Sequence, residues 1–174
     1  MMQSNDQEQM AKRDGRPVDM IAAAREAQRA TAPFGEPGGI RLIAPAKVNL
    51  FLDIGQRRPD GYHEAVSIMH ALTLRDVLHM KLAPNPGAGL AVDLTCRACE
   101  GLAPLDVPPE SNIVSKALRA LAERVGRDAD ETLSVRLEKH IPSEAGLGGG
   151  SSDAAAALVG AARLWGLAPD DPRI

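Results

Sequence analysis

From Ile40 onward the chain sets apolar residues in short runs and alternations, broken at regular intervals by Gly and Pro. Ile40 to Ile43 and Val48 to Ile54 read as strands separated by Pro45, because proline has no N–H to give a ladder. Arg57-Arg-Pro-Asp-Gly-Tyr-His63 places Pro, Asp and Gly where a turn needs them. Ala65 to Leu74 and Val77 to Leu82 are predicted as two further extended segments, and Leu90 to Thr95 as a third. The rest of 83–110 is loop, broken by Pro84, Pro86, Pro104, Pro108 and Pro109. Ser111 is then placed to cap a helix in which Val114, Ala117, Leu118, Leu121 and Val125 share one face and Gly126 forms the stop. Thr132 to Glu138 alternates, with Leu133, Val135 and Leu137 on one side, the pattern of a half-buried strand. Beyond it lies Pro142-Ser-Glu-Ala-Gly-Leu-Gly-Gly-Gly-Ser-Ser-Asp-Ala-Ala-Ala-Ala157, whose alanines open a helix running to about Trp165 with Gly166 as its end. The pattern describes an α+β, strand-rich unit with two helices and no internal repeat.

The first 39 residues break this pattern. They are rich in Gln, Asp, Arg, Gly, Pro and Ala with no sustained apolar stripe, and are expected to be a disordered extension, with Asp19 to Ala30 transiently helical. Met1, Met2, Met10 and Met20 offer alternative starts, and the acidic residues fit a mitochondrial transit peptide poorly. Residues 40–174 form the expected domain. A length of 174 residues suffices for one core. The net charge of −3 and the absence of a basic run argue against a nucleic-acid or membrane-surface binder. Four aromatic residues (two Phe, one Tyr, one Trp) are too few for a single-strand stacking platform. No apolar run reaches the roughly 18 residues a bilayer span needs, and a cytoplasmic location is expected. Cys96 and Cys99 form a lone CxxC without the second ligand pair of a zinc site or the helix start of a redox site, and are read as ordinary reduced thiols. His70, His79 and His140 are isolated and are read as structural.

The glycine segment changes the picture most. Gly146, Gly148, Gly149 and Gly150 lack a Cβ, so the backbone can turn tightly and let a bulky anion approach its N–H groups. Ser151 or Ser152 is expected to cap the helix that follows, whose N-terminus favours anions. No Lys follows the glycines as in a Walker loop, and no Rossmann acid lies about 20 residues on. Read alone, the segment could be a flexible connector; a strand before it and a helix after it are what an anion site requires. Ala44-Pro-Ala-Lys-Val-Asn-Leu-Phe-Leu52 adds one Lys and one Asn inside an apolar strand. Alternation puts Lys47 and Asn49 on one face, where Lys47 either neutralises phosphate charge, holds a carboxylate base in its ionised form, or simply snorkels at a strand end. Tyr62 and His63 offer a stacking face beside a hydrogen-bonding ring, or else a plain turn with a packed Tyr.

Taken in order, the Lys-Val-Asn-Leu strand, Arg-Pro-Asp-Gly-Tyr-His, Ser-Asn-Ile-Val and Lys-His-Ile-Pro-Ser-Glu-Ala-Gly-Leu-Gly-Gly-Gly-Ser-Ser-Asp-Ala resemble the galactokinase, homoserine kinase, mevalonate kinase and phosphomevalonate kinase (GHMP) superfamily. Within it the chain resembles the diphosphocytidyl methylerythritol kinases, over Ile40 to about Leu167. The resemblance implies a mixed β-sheet with helices packed on it and the phosphate loop before the last helix. It also implies ATP-dependent phosphorylation of a tertiary hydroxyl on a small-molecule substrate, in the non-mevalonate route to isoprenoid precursors, with Mg²⁺ accompanying ATP and no metal ligand assigned. Carried over by position, Pro142, Ser143, Glu144, Ala145, Gly146, Leu147, Gly148, Gly149, Gly150, Ser151 and Ser152 would form the ATP phosphate loop. Lys47 would be the catalytic Lys, and Asn49 would lie by the substrate. Tyr62 would stack on the cytosine and His63 hydrogen-bond it, while Asn112 and Lys139 would lie toward the adenosine. Two local departures stand out. Ser143-Glu-Ala145 replaces small, glycine-rich residues at the start of the loop. Asp153 stands where Asn or Ala is common, and is compatible with phosphates if it faces away from them or helps hold magnesium. The Gly-Ala-Asp segment that carries the family's proposed base is not found in these 174 residues, nor is the second domain. The chain is therefore expected to be an N-terminal portion of such a kinase with little turnover of its own.

Overall fold

The computed structural model describes residues 38–105, 107–168 and 170–173. The expected extension therefore lies outside the described residues but for its last two, as does the helix expected at Asp19 to Ala30. Within the described residues, four strands form one mixed sheet with two helices on it. The strands are β1 (Ile40–Arg57), β2 (His63–Pro84), β3 (Ala91–Ala98) and β4 (Glu131–Lys139); the helices are α1 (Ile113–Val125) and α2 (Gly149–Leu164). A single 3-10 turn, Pro109–Ser111, leads into α1. Sheet order is β1-β2-β4-β3, antiparallel between β1 and β2 and between β2 and β4, parallel between β4 and β3. The parallel pair needs a crossover, and α1 supplies it.

Two expected breaks are absent. Pro45 does not divide β1: it sits on the sheet's edge strand, where a missing N–H is tolerated, and the register shifts between Pro45 and Lys47 absorb the irregularity. Arg75 and Asp76 do not divide β2 either, and both pair with β1 across Pro45 and Ala44. The caps also differ from expectation. Asn112, not Ser111, caps α1, its Oδ1 accepting the Val114 N–H at 2.9 Å. Gly126 closes the helix in the left-handed region, as expected.

The core lies between the sheet and the helices. Leu42, Ala44, Leu78, Met80, Leu133, Val135 and Leu137 from the strands meet Val114, Leu118 and Leu121 of α1 and Ala157 and Ala161 of α2. The small face of α2 permits close approach: a Cβ on Gly160 would meet Leu42 Cδ1 at 2.9 Å. By contrast the distal half of the β1–β2 hairpin is bare. Leu50, Ile54, Val66, Ile68 and Met69 are each more than half exposed.

Candidate active site

The chain leaves β4 at Lys139, turns through the glycine segment and enters α2 at Gly149. Gly148 is the N-cap, with φ 70°, and no side chain caps the helix. Ser151 and Ser152 lie inside the first turn instead of capping it. The uncapped N–H groups of that turn are left to whatever lies in front of them, which suits an anion. Glu144 takes φ 60°, the single non-glycine residue with positive φ among those described.

Lys47 is fastened to this loop twice. Its backbone N–H donates to the Leu147 carbonyl at 2.9 Å and its Nζ to the Gly146 carbonyl at 3.3 Å. A Cβ on Gly148 would stand 3.0 Å from Lys47 Cε, so the lysine stem lies along the one residue that leaves it room. The edge strand and the loop, a hundred residues apart in sequence, thus bring an ammonium to the mouth of the helix.

In front of the loop is a cavity of about 480 Å³. Residues 142–151, Asn112, Lys139 and Asp153 all line it, whereas Ser152 turns to the groove between α2 and β1. At its floor Lys139 is buried between two carboxylates. Its ammonium bonds Asp76 Oδ2, and Asp153 Oδ2 lies at 2.6 Å. Asp76 Oδ1 in turn accepts the backbone N–H groups of His140 at 2.5 Å and Ile141 at 2.8 Å. Burial disfavours the Lys139 charge, but Asp153 and Asp76 outweigh it and hold the ammonium above the ordinary lysine range. Asp153 behaves oppositely. Burial and the nearby Asp76 charge push it up to about 7 against the pull of Lys139. Asp153 turns its Oδ2 to Lys139, while its buried Oδ1 has no hydrogen-bond partner. Asp76 carried no signal in the sequence: one Asp in a strand acquires a role only when the fold sets Lys139 beside it.

The remaining candidates lie apart from this cluster. Asn49 is exposed on β1 with its Oδ1 accepting the Ser67 hydroxyl at 3.2 Å. Tyr62 is 72% exposed at the hairpin turn, and His63 Nδ1 lies 3.0 Å from the Gly55 carbonyl. From Lys47 to Arg57, which pairs with His63, an unbulged strand would run on the order of 30 Å. Cys96 and Cys99 are free thiols. Cys99 Sγ lies 2.8 Å from Nδ1 of the buried His140, a contact that neither residue announces in sequence. His79 is buried, which lowers its pKa. Among the described residues no helix is long and apolar enough to cross a membrane, and no group of three His, Cys, Asp or Glu could hold a metal.

A glycine loop running uncapped into a helix, with an edge-strand lysine laid along it, is an arrangement for phosphate. Residues 112–174 match the GHMP kinases N terminal domain. The described architecture also follows a homoserine kinase from Cytophaga hutchinsonii, with TM-score 0.53 over 78% of this chain and 38% of that one, at 22% identity. Over these residues the chain is similar to the GHMP kinases. Its similarity is greater to one branch. A 4-diphosphocytidyl-2-C-methyl-D-erythritol kinase of Saccharopolyspora erythraea is 45% identical over 132 residues, 75% of this chain and 39% of the relative. The crystal structure of a 4-(cytidine 5'-diphospho)-2C-methyl-D-erythritol kinase matches with TM-score 0.56 and 34% identity, over 75% of this chain and 42% of that one. The chain spans about two fifths of the length of the curated relatives it matches.

Proposed function

We propose that this chain is the ATP-binding part of a kinase that phosphorylates the 2-hydroxyl of 4-diphosphocytidyl-2-C-methyl-D-erythritol on the route to isoprenoid precursors. The observation that carries the reading is Lys47 held against the phosphate loop at the mouth of an uncapped helix. Residues 142–152 form the ATP phosphate loop, and the backbone N–H groups it leaves free ahead of Ser152 receive the phosphates. Asn112 and Lys139, which also line the cavity, border the adenosine. ATP supplies the phosphoryl group; Lys47 offsets charge on it as the substrate hydroxyl attacks. Mg²⁺ accompanies ATP, whose phosphates supply part of its ligand shell.

On the hairpin, Tyr62 presents a free face for cytosine to stack on. If His63 gives its Nδ1 proton to Gly55, its Nε2 is an acceptor, complementary to the amino group of cytosine. The Asn49 amide nitrogen is a donor toward the substrate, and its Oδ1 lies within reach of the Ser67 hydroxyl, which the Phe51 carbonyl also approaches. Among these 174 residues no Gly-Ala-Asp segment supplies a base, and loss of a base costs roughly 10² to 10⁴ in rate. The chain alone is expected to bind ATP in the cytoplasm with little turnover.

Calorimetric titration with ATP tests the reading. Micromolar to millimolar binding that weakens about tenfold or more in Lys47→Ala is the expected result. Rapid ADP release by the 174-residue chain that disappears in Lys47→Ala would overturn the claim of low turnover. A protein completed to the length of its relatives should consume ATP with the diphosphocytidyl compound. Consumption with homoserine or mevalonate instead would overturn the substrate.

A further inference from the structure

We propose that Asp76 is the positioning residue of the phosphate loop: from within β2 its buried carboxylate fixes where the chain leaves β4 and, through Lys139, where α2 begins. The proposal takes from the preceding reading only that residues 142–152 are that loop. Asp76 is fully buried, and each of its oxygens has a separate task. Oδ1 accepts the N–H groups of His140 and Ile141, the two amides that follow the last residue of β4. Without it these amides would be buried beyond the end of their ladder, since His140 and Ile141 are 2% and 1% exposed. Oδ2 takes the Lys139 ammonium, which also reaches Asp153 just past the first turn of α2. Both ends of the loop are therefore tied to one carboxylate. The helix start fits closely over this knot: a Cβ on Gly149 would stand 3.0 Å from Ile141 Cγ2 and 3.4 Å from Lys139 Nζ.

A buried charge cluster is a poor way to gain stability, because desolvation opposes the attraction, and it serves better to select one geometry. Here the selected geometry is the one that points the uncapped N–H groups of α2 into the cavity. The groups facing Asp153 are Asp76 from β2, Lys139 from β4 and the Cys96 thiol of β3, which burial pushes up and keeps neutral. Asp76 and Asp153 share one ammonium, so the state of either carboxylate is felt by the other.

The test needs no nucleotide, so a failure of ATP binding counts against the phosphate-loop reading alone. Amide hydrogen exchange and ¹³C carboxyl titration are recorded on the 174-residue chain and on Asp76→Asn. Expected are exchange about tenfold faster at the hydrogen-bonded amides on either side of the loop, His140 and Ile141 before it and those of α2 from Ser152 on, with β3 and α1 little changed, and an Asp153 midpoint lowered by about one pH unit once the like charge is gone. Acceleration spread evenly over all elements, or an unmoved Asp153 midpoint, would overturn the proposal. Should Asp76→Asn fail to fold, Asp153→Asn cuts the clamp at the helix end only. It is expected to speed exchange at the hydrogen-bonded amides of α2 from Ser152 on while His140 and Ile141 stay protected. Equal acceleration at both ends, or at neither, would sink the idea.

Discussion

Glu144 holds the left-handed backbone that L-residues avoid, at a position where the glycine loop turns. The conformation costs about 1 to 2 kcal/mol for a residue with a Cβ, partly offset by the greater unfolded freedom of a glycine in its place. Glu144→Gly is therefore expected to raise unfolding stability by about 0.5 to 1 kcal/mol, read from the urea midpoint at constant m-value. A drop in the midpoint would mean that the glutamate side chain contributes more than its backbone costs. The same residue shows what a single chain conveys. Its departure from the small residues of the family was visible, but its φ was not, because φ at a turn depends on where both flanking elements end. Lys47 was legible for the opposite reason: an ammonium inside an apolar strand has few uses, and strand alternation already set its direction. Asp153 was only half legible. Its acidity stands out beside a glycine loop, but its ion pair with Lys139 depends on where β4 meets α2, which no local signal carries.

Elements whose signal is local came through the sequence intact. α1, β4, α2 and the hairpin turn were marked by their own periodicity and by Gly126, Gly166 and the Pro-Asp-Gly turn. β1 and β2 were each read as two pieces, because Pro45 and the Arg75-Asp76 pair look like breaks from within one strand. The sheet overrides both, the first by leaving the proline on an edge and the second by partnering the aspartate. The seating of α2 on β1 and β2 likewise depends on a residue with no local signal. Gly160 lies where α2 meets Leu42 and Met80, and a methyl group there must displace one of them. Although alanine is the better helix former by about 1 kcal/mol, Gly160→Ala is expected to destabilise by about 1 to 3 kcal/mol through overpacking. Thermal melts compared with Ala155→Gly, on the exposed side of the same helix, separate packing from propensity. A Gly160→Ala chain that melted higher than its parent would contradict the close approach.

At the scale of the whole molecule, stability should depend on pH through the floor of the cavity. The Asp153 carboxyl titrates at about 7 in the folded chain against an ordinary 3.8. Below about pH 4 both states hold its proton. Between about 4 and 7 only the folded state does, so this contribution is lost as pH rises and levels off above about 7. The slope is about 1.4 kcal/mol per pH unit within the window, and a few kcal/mol in all. Asp153→Asn should flatten the stability curve between pH 4 and 7, measured by denaturant titration at several pH values. Glu131, held below the usual carboxylate range by Arg127, pulls the other way at low pH in both proteins and cancels in the comparison. Parallel curves would place the Asp153 titration at its ordinary value.

The β1–β2 hairpin carries a consequence of another kind. Lys47 and the strand end that pairs with His63 belong to one continuous ribbon, so the distance between the phosphate end and the proposed base end is counted in strand residues. On the proposed roles, the protein gauges its substrate with a ruler of backbone. Lengthening that ruler by a residue would change the span and turn every later side chain to the other face, whatever the affinity of either end for its own half of the molecule.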